Sequence, residues 1–158
     1  MPKSEYQFAD FLMNVDDRYK DFVITVHEML AANYKAKIEL KASGFLVSYI
    51  HNKTKRSILN FVFRKNGIYI RIYGENCNDY VNVLNRLPNN IVKQIEGAGV
   101  CKRLVDPGAC NSKCGMGYDF HIGDNHYQKC RNSCFYLYVD DESIPHLLEL
   151  VESESRSR

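Results

Sequence analysis

The chain predicts an α+β fold, an antiparallel sheet meander packed with N-terminal, central and C-terminal helices. Three observations carry that reading. Helical apolar spacing runs up to about residue 32, four short alternating runs follow, and helical spacing returns after residue 76 and again after residue 140. At 158 residues, 45% hydrophobic and 25% charged, the sequence has the size and composition of one compact domain that buries a core without covalent staples. Residues 1–158 therefore read as a single domain, with a cysteine-rich hairpin segment, 101–134, inserted before the last strand and helix.

Ser4 precedes "EYQFADFL", where Tyr6, Phe8 and Phe11 share a short helical face that the serine hydroxyl can cap. In "DDRYKDFVITVHEMLAANY", a capping Asp16 or Asp17 is followed by apolar residues at Tyr19, Phe22, Val23, Val26, Met29 and Leu30, which predicts a helix over about 17–32. The period then shortens to two in "AKIELKA", "FLVSYIHN", "SILNFVFRK" and "GIYIRIYG", each bounded by turn residues. Asn66-Gly67 suits the positive φ values of a type I′ hairpin.

"NDYVNVLNRLPNNIVKQIEGAG" divides at Pro88 into two short helices, the second stopped by Gly97. Cys77 stands at the start of the first, where a helix N-terminus can lower a thiol pKa; simple burial is the plainer role. Strands return in "YDFHI", "HYQKC" and "CFYLYVD", with a turn at "GDN". The last helix, in "ESIPHLLELVES", tolerates Pro145 in its first turn and buries Ile144, Leu147, Leu148 and Val151. Its polar tail, "ESESRSR", is expected to fray.

Charge narrows the partners. Lys plus Arg number 21 against 19 Asp plus Glu, a formal +2, and the basic residues are scattered, so neither nucleic acid nor a membrane is an expected partner. The densest basic stretch, "HNKTKRS" at 51–57, reads as a solvated hairpin loop, with a phosphate contact through "NKTKR" as the alternative. No apolar h-region opens the chain and no run is long enough to span a bilayer, so a cytoplasmic location is expected. Reduced cytosolic thiols then point to metal ligation, reactivity or burial for the 6 cysteines.

Four of those cysteines lie in "CNSKCGMGYDFHIGDNHYQKCRNSC". Cys110, Cys114, Cys130 and Cys134 form two Cys-x3-Cys pairs, and tetrahedral zinc typically takes two short-spaced pairs of this kind. If Asp124 and Asn125 form the hairpin loop, Gly123 faces His126, His121 faces Gln128 and Asp119 faces Cys130. Asp119, His121, His126 and Cys130 then share one sheet face. Either the four thiols close a structural centre, or three of them act with His121 or His126. Cys134 opens an apolar strand and can simply be packed there, which leaves Cys101 as its substitute. His27, His51 and His146 read as ordinary surface or core histidines. Two other readings stay open, a metal-free group of reduced cysteines and a thiol redox sensor or enzyme using Cys114 and Cys130 with His121 as base.

Within "GIYIRIYG", Ile68, Ile70 and Ile72 point to one side, toward the helix of residues 17–32, and Tyr69, Arg71 and Tyr73 to the other. Those three side chains line either an open face that stacks on or pairs with a planar or anionic ligand, or a face covered by a later helix. The first reading gives a non-enzymatic module for a small molecule or a partner protein, with the cysteine segment as a clamp.

The element order, with "ILNFVFRKNGIYIRI" in its meander, resembles the small bacterial family of unknown function called YdhG-like, over roughly residues 5–100. The segment from "DPGACNSKCGMGYDF" to "HLLELVE" resembles the C-terminal part of uncharacterised bacterial proteins. The matching positions are Cys110, Cys114 and Cys130, Gly117-Tyr118 and Lys129-Cys130. The resemblance implies an α+β fold and a thiol-centred site, and brings no activity with it.

Overall fold

The computed structural model describes residues 6–106, 108 and 116–158. It is an α+β protein. Helix α1 spans Phe8–Met13 and α2 Lys20–Leu30; strands β1 (Tyr34–Lys41), β2 (Gly44–His51), β3 (Ser57–Arg64) and β4 (Gly67–Ile72) form the meander. Then come α3 (Val81–Asn85), α4 (Asn89–Glu96) and α5 (Lys102–Val105), a hairpin of β5 (Tyr118–Ile122) and β6 (Asn125–Lys129), strand β7 (Tyr136–Tyr138) and α6 (Ile144–Ser157). The main sheet is antiparallel with order β1-β2-β3-β4-β7, so β7 skips its sequence neighbours to join β4, while β5 and β6 form a separate ribbon.

Side-chain parity decides which face is buried. Val47, Tyr49, Leu59, Phe61, Ile70, Ile72 and Leu137 point into a core shared with Phe22, Val23, Val26 and Leu30 of α2 and Leu147, Leu150 and Val151 of α6. As the alternation in "GIYIRIYG" predicts, Ile68, Ile70 and Ile72 are buried, and Tyr69, Arg71 and Tyr73 lie half-buried on the opposite face.

Several expectations shift. The helix predicted over 17–32 begins as a 3-10 turn, Asp17–Tyr19, because the Asp16 carboxylate accepts from the Arg18 N–H at 3.0 Å; regular helix starts only at Lys20. Gln7 caps α1, with its own N–H donating to Asp10 at 2.7 Å, and Ser4 lies outside the described residues. Arg64 pairs with Gly67, so the hairpin loop is Lys65-Asn66 rather than Asn66-Gly67. Gly67 serves that turn from its flank. Its φ is +137°, and a Cβ there would lie 2.9 Å from the Tyr138 ring.

The C-terminal tail does not fray. Helix α6 continues to Ser157 because Glu154, fully buried, accepts from the Tyr80 hydroxyl at 2.8 Å, the Asn76 N–H at 3.0 Å and the Asn76 amide at 2.8 Å. Arg158 completes the lock, donating to Glu154 at 3.0 Å, to the Ser57 carbonyl at 3.1 Å and to the Tyr73 carbonyl at 2.9 Å. Among the described residues, no helix is long and apolar enough to cross a membrane.

Candidate functional site

Register builds one continuous line across the face opposite the core. Lys37 stands beside Ser48, Ser48 beside Asn60, Asn60 beside Arg71, and Arg71 beside Tyr136, one residue from each of the five strands. Asn60 is only 6% exposed, and such a polar group must find partners. Its amide nitrogen donates to the Ser48 hydroxyl at 2.8 Å, and its amide oxygen accepts from the Tyr73 hydroxyl at 3.0 Å and Arg71 Nη1 at 3.4 Å. Asn60 thereby ties Arg71 and Tyr73 to the sheet centre.

Around this line lies an aromatic wall. Tyr69 stacks on Tyr136 with centroids 4.8 Å apart and planes at 6°, and meets Tyr138 edge-on at 5.3 Å. The guanidinium of Arg71 sits 4.8 Å from the Tyr136 ring centre and that of Arg64 5.9 Å from it. Arg64 Nε donates to the Tyr136 hydroxyl at 2.8 Å, and Arg71 Nε to the Asn132 carbonyl at 2.8 Å. Among the described residues neither arginine pairs with a carboxylate, and no acceptor meets Arg71 Nη2 or either Nη of Arg64. By contrast, Arg131 pairs with Glu75 at 3.0 Å, and Lys37 and Lys41 share Glu39.

The three residues singled out in the sequence thus belong to a wider constellation that adds Asn60, Arg64, Tyr136 and Tyr138. Alternation within β7 signals which of its residues share a face; only its pairing with β4 brings Tyr136 and Tyr138 beside Tyr69 and Arg71. "NKTKR" remains an exposed loop, turned by the His51 imidazole, which accepts from the Lys53 and Thr54 N–H groups at 3.1 and 3.2 Å.

The cysteine region divides. Cys110 and Cys114 lie outside the described residues. Cys130 is half-buried at the end of β6, whereas Cys134, one turn later, is fully buried in the main core. Burial, with Cys77 nearby, pushes the Cys134 thiol well above its ordinary pKa. Cys77 is also buried rather than activated by its place at the start of a short 3-10 turn; desolvation and the Glu154 carboxylate push its thiol up to about 12.

The β5–β6 loop lies one residue earlier than expected, which moves each cross-strand partner by two residues. Ile122 pairs with Asn125, leaving Gly123-Asp124 as the loop, and Gly123 takes up its φ of +59°. His121 therefore faces His126 directly, their rings stacked at 4.6 Å, and Asp119 faces Gln128. Asp119, His121, His126 and Cys130 still share one face, since parity survives the slip. Asp119 lies 2.5 Å from His126 Nε2 and accepts from the Gln128 amide at 3.2 Å; the histidine contact holds its carboxyl below the usual carboxylate range. No group of three or more His, Cys, Asp or Glu among the described residues is placed to hold a metal ion.

Cys101 completes the picture. It is 7% exposed, and its Sγ accepts the Gly117 N–H at 3.2 Å. Compared with protein-family models, with curated proteins and with solved structures, the chain matches none.

Proposed function

We propose that this protein is a binding module that takes a small anionic ligand bearing a planar ring on the face of Tyr69, Arg71 and Tyr73, and that it performs no chemistry of its own there. One observation carries the reading. Arg64 and Arg71 reach the same tyrosine ring, Tyr136, with guanidinium edges that no protein acceptor meets among the described residues. A guanidinium held against aromatic rings is pre-organised for a carboxylate or phosphate, which it binds through paired N–H donors. The tyrosines supply the stacking surface, and the Asn60 hydrogen bonds keep the polar groups oriented before a ligand arrives. A partner protein would use the same face through an acidic side chain.

The test is titration of isotope-labelled protein with phenyl phosphate and with benzoate, followed by amide shifts. Shifts concentrated at residues 60–73 and 136–138, weakened at least about tenfold by Arg71→Ala, support the reading, since a charge-assisted hydrogen bond contributes roughly 1.5–3 kcal/mol. The absence of localised shifts with both anions, or equal affinity in the variant, overturns it.

Cys110, Cys114, Cys130 and a fourth thiol, Cys134 by spacing, form on this reading a structural metal site. A thiolate-rich set suits zinc, and such a centre clamps a loop with few apolar residues of its own. Elemental analysis with thiols titrated before and after chelation tests it. About one equivalent of zinc with four masked thiols is expected of a closed tetrahedral centre; metal-free protein whose thiols all react at once overturns it.

A further inference from the structure

We infer that Cys101, not Cys134, is the thiol that joins Cys130 in holding this metal. The inference rests on the thiolate-metal reading above and fixes which described cysteines belong to the site. Its basis is a short strand pairing that the sequence does not announce. Val100 bridges antiparallel to Lys129, the Cys101 N–H donates to the Gln128 carbonyl at 2.9 Å and the Cys130 N–H to the Gly99 carbonyl at 2.7 Å. Residues two apart on a strand share a face, so Cys101 and Cys130 stand on the same side of this pairing as diagonal neighbours. The Cα atoms of such neighbours are about 7–8 Å apart and their side chains closer. Two sulfurs on one zinc, each about 2.3 Å from the ion, can span that gap.

The sulfur of Cys101 is already held as a ligand sulfur would be. Gly117 donates its N–H to Sγ at 3.2 Å, and Met116, just before it, adopts a φ of +66° that few side-chain-bearing residues take up. A neutral thiol is a weak acceptor and a thiolate a strong one, and hydrogen bonds from surrounding groups orient metal ligands. Gly117 also has no room for a side chain, since a Cβ would lie 2.9 Å from Sγ and 2.1 Å from the Lys129 carbonyl oxygen. The glycine lets chain, sulfur and β6 converge.

Cys134 has the opposite setting. It is fully enclosed in the apolar core beside Phe135, and its N–H closes a turn onto the Cys130 carbonyl at 2.9 Å. A divalent ion bound there would have to sit within the core itself.

The experiment compares zinc content and affinity in the whole wild-type protein, Cys101→Ser and Cys134→Ala, with the fold followed by circular dichroism. Cobalt(II) is then loaded in place of zinc, because its thiolate charge-transfer band scales with the number of bound sulfurs. Expected are full zinc and an unchanged band in Cys134→Ala, with zinc affinity lowered at least about a hundredfold in Cys101→Ser, more than loss of an outer-shell partner produces. If Cys101→Ser does not fold, the cobalt band of Cys134→Ala decides alone, unchanged in support and weakened by about a quarter in refutation, as loss of one of four thiolates requires. Retention of zinc by Cys101→Ser, or its loss from Cys134→Ala, overturns the inference and leaves the metal reading standing. A wild-type protein that binds no zinc overturns both.

Discussion

Arg158 Nε lies 3.0 Å from Glu154 Oε2, so this arginine closes over a carboxylate that has no exposure to solvent. Residues four apart meet on one helical face, and this pair also joins three elements, through Asn76 and Tyr80 before α3 and the Ser57 carbonyl at the start of β3. Arg158→Ala leaves a buried charge without its cation. We expect a loss of about 3 kcal/mol, the scale on which removing one partner of a buried pair acts, read as a lower urea midpoint. An unchanged midpoint would show that Tyr80 and Asn76 suffice.

Gly117 is expected to be the least replaceable glycine. Alanine there places a Cβ against the Lys129 carbonyl and the Cys101 side chain, neither of which is a free-swinging group. Gly117→Ala should destabilise by about 2 kcal/mol or more, by overpacking and loss of the Val100–Lys129 pairing. Hydrogen exchange checks it, with faster exchange at the Cys101 and Cys130 amides as the specific sign. Gly123, whose Cβ would meet nothing within 4 Å, should cost less on mutation, through its φ of +59° alone.

Tyr118 buries a hydroxyl that has no hydrogen-bond partner among the described residues, at 5% exposure. Desolvating a hydroxyl without compensation is unfavourable, so Tyr118→Phe should raise stability by about 1 kcal/mol. The measurement is a thermal melt beside the parent protein. A lower melting temperature would mean that the hydroxyl has a partner after all.

His27 gives a pH dependence with a defined sign. Its ring stacks on Phe8 at 3.8 Å and meets the Tyr49 hydroxyl at 2.8 Å, and burial holds its pKa below the ordinary histidine value. The unfolded chain therefore takes up this proton more readily than the native one. Stability from this group is intact above about pH 6.5, the unfolded value, and falls as pH drops toward the depressed native pKa. Urea midpoints at several pH values should show that loss in the parent and less of it in His27→Gln. Loosening should appear first at Phe8, through its stack on the imidazole.

How much of this was legible in the chain depends on the range of the interaction. Periodicity determined the elements: "GIYIRIYG" alone separates the isoleucines of the core from Tyr69, Arg71 and Tyr73, because side-chain alternation is a property of any extended backbone. Helical spacing likewise placed α2 and α6, and Pro88 and Gly97 marked the bounds of α4. Turn positions moved by one residue, and the pairings beside them by two, at Lys65-Asn66 and Gly123-Asp124, where close packing and the backbone of a single glycine choose between adjacent loops.

Tertiary structure alone decided the rest. Nothing local says that β7 passes over β5 and β6 to pair with β4, yet that pairing sets Tyr136 between Arg64 and Arg71. Nothing local makes Glu154, within a polar tail, a buried acceptor, or puts Cys101 beside Gly117. These outcomes depend on which distant surfaces close over one another. A short-range pattern says which face of an element is apolar; only the assembled packing says what that face meets.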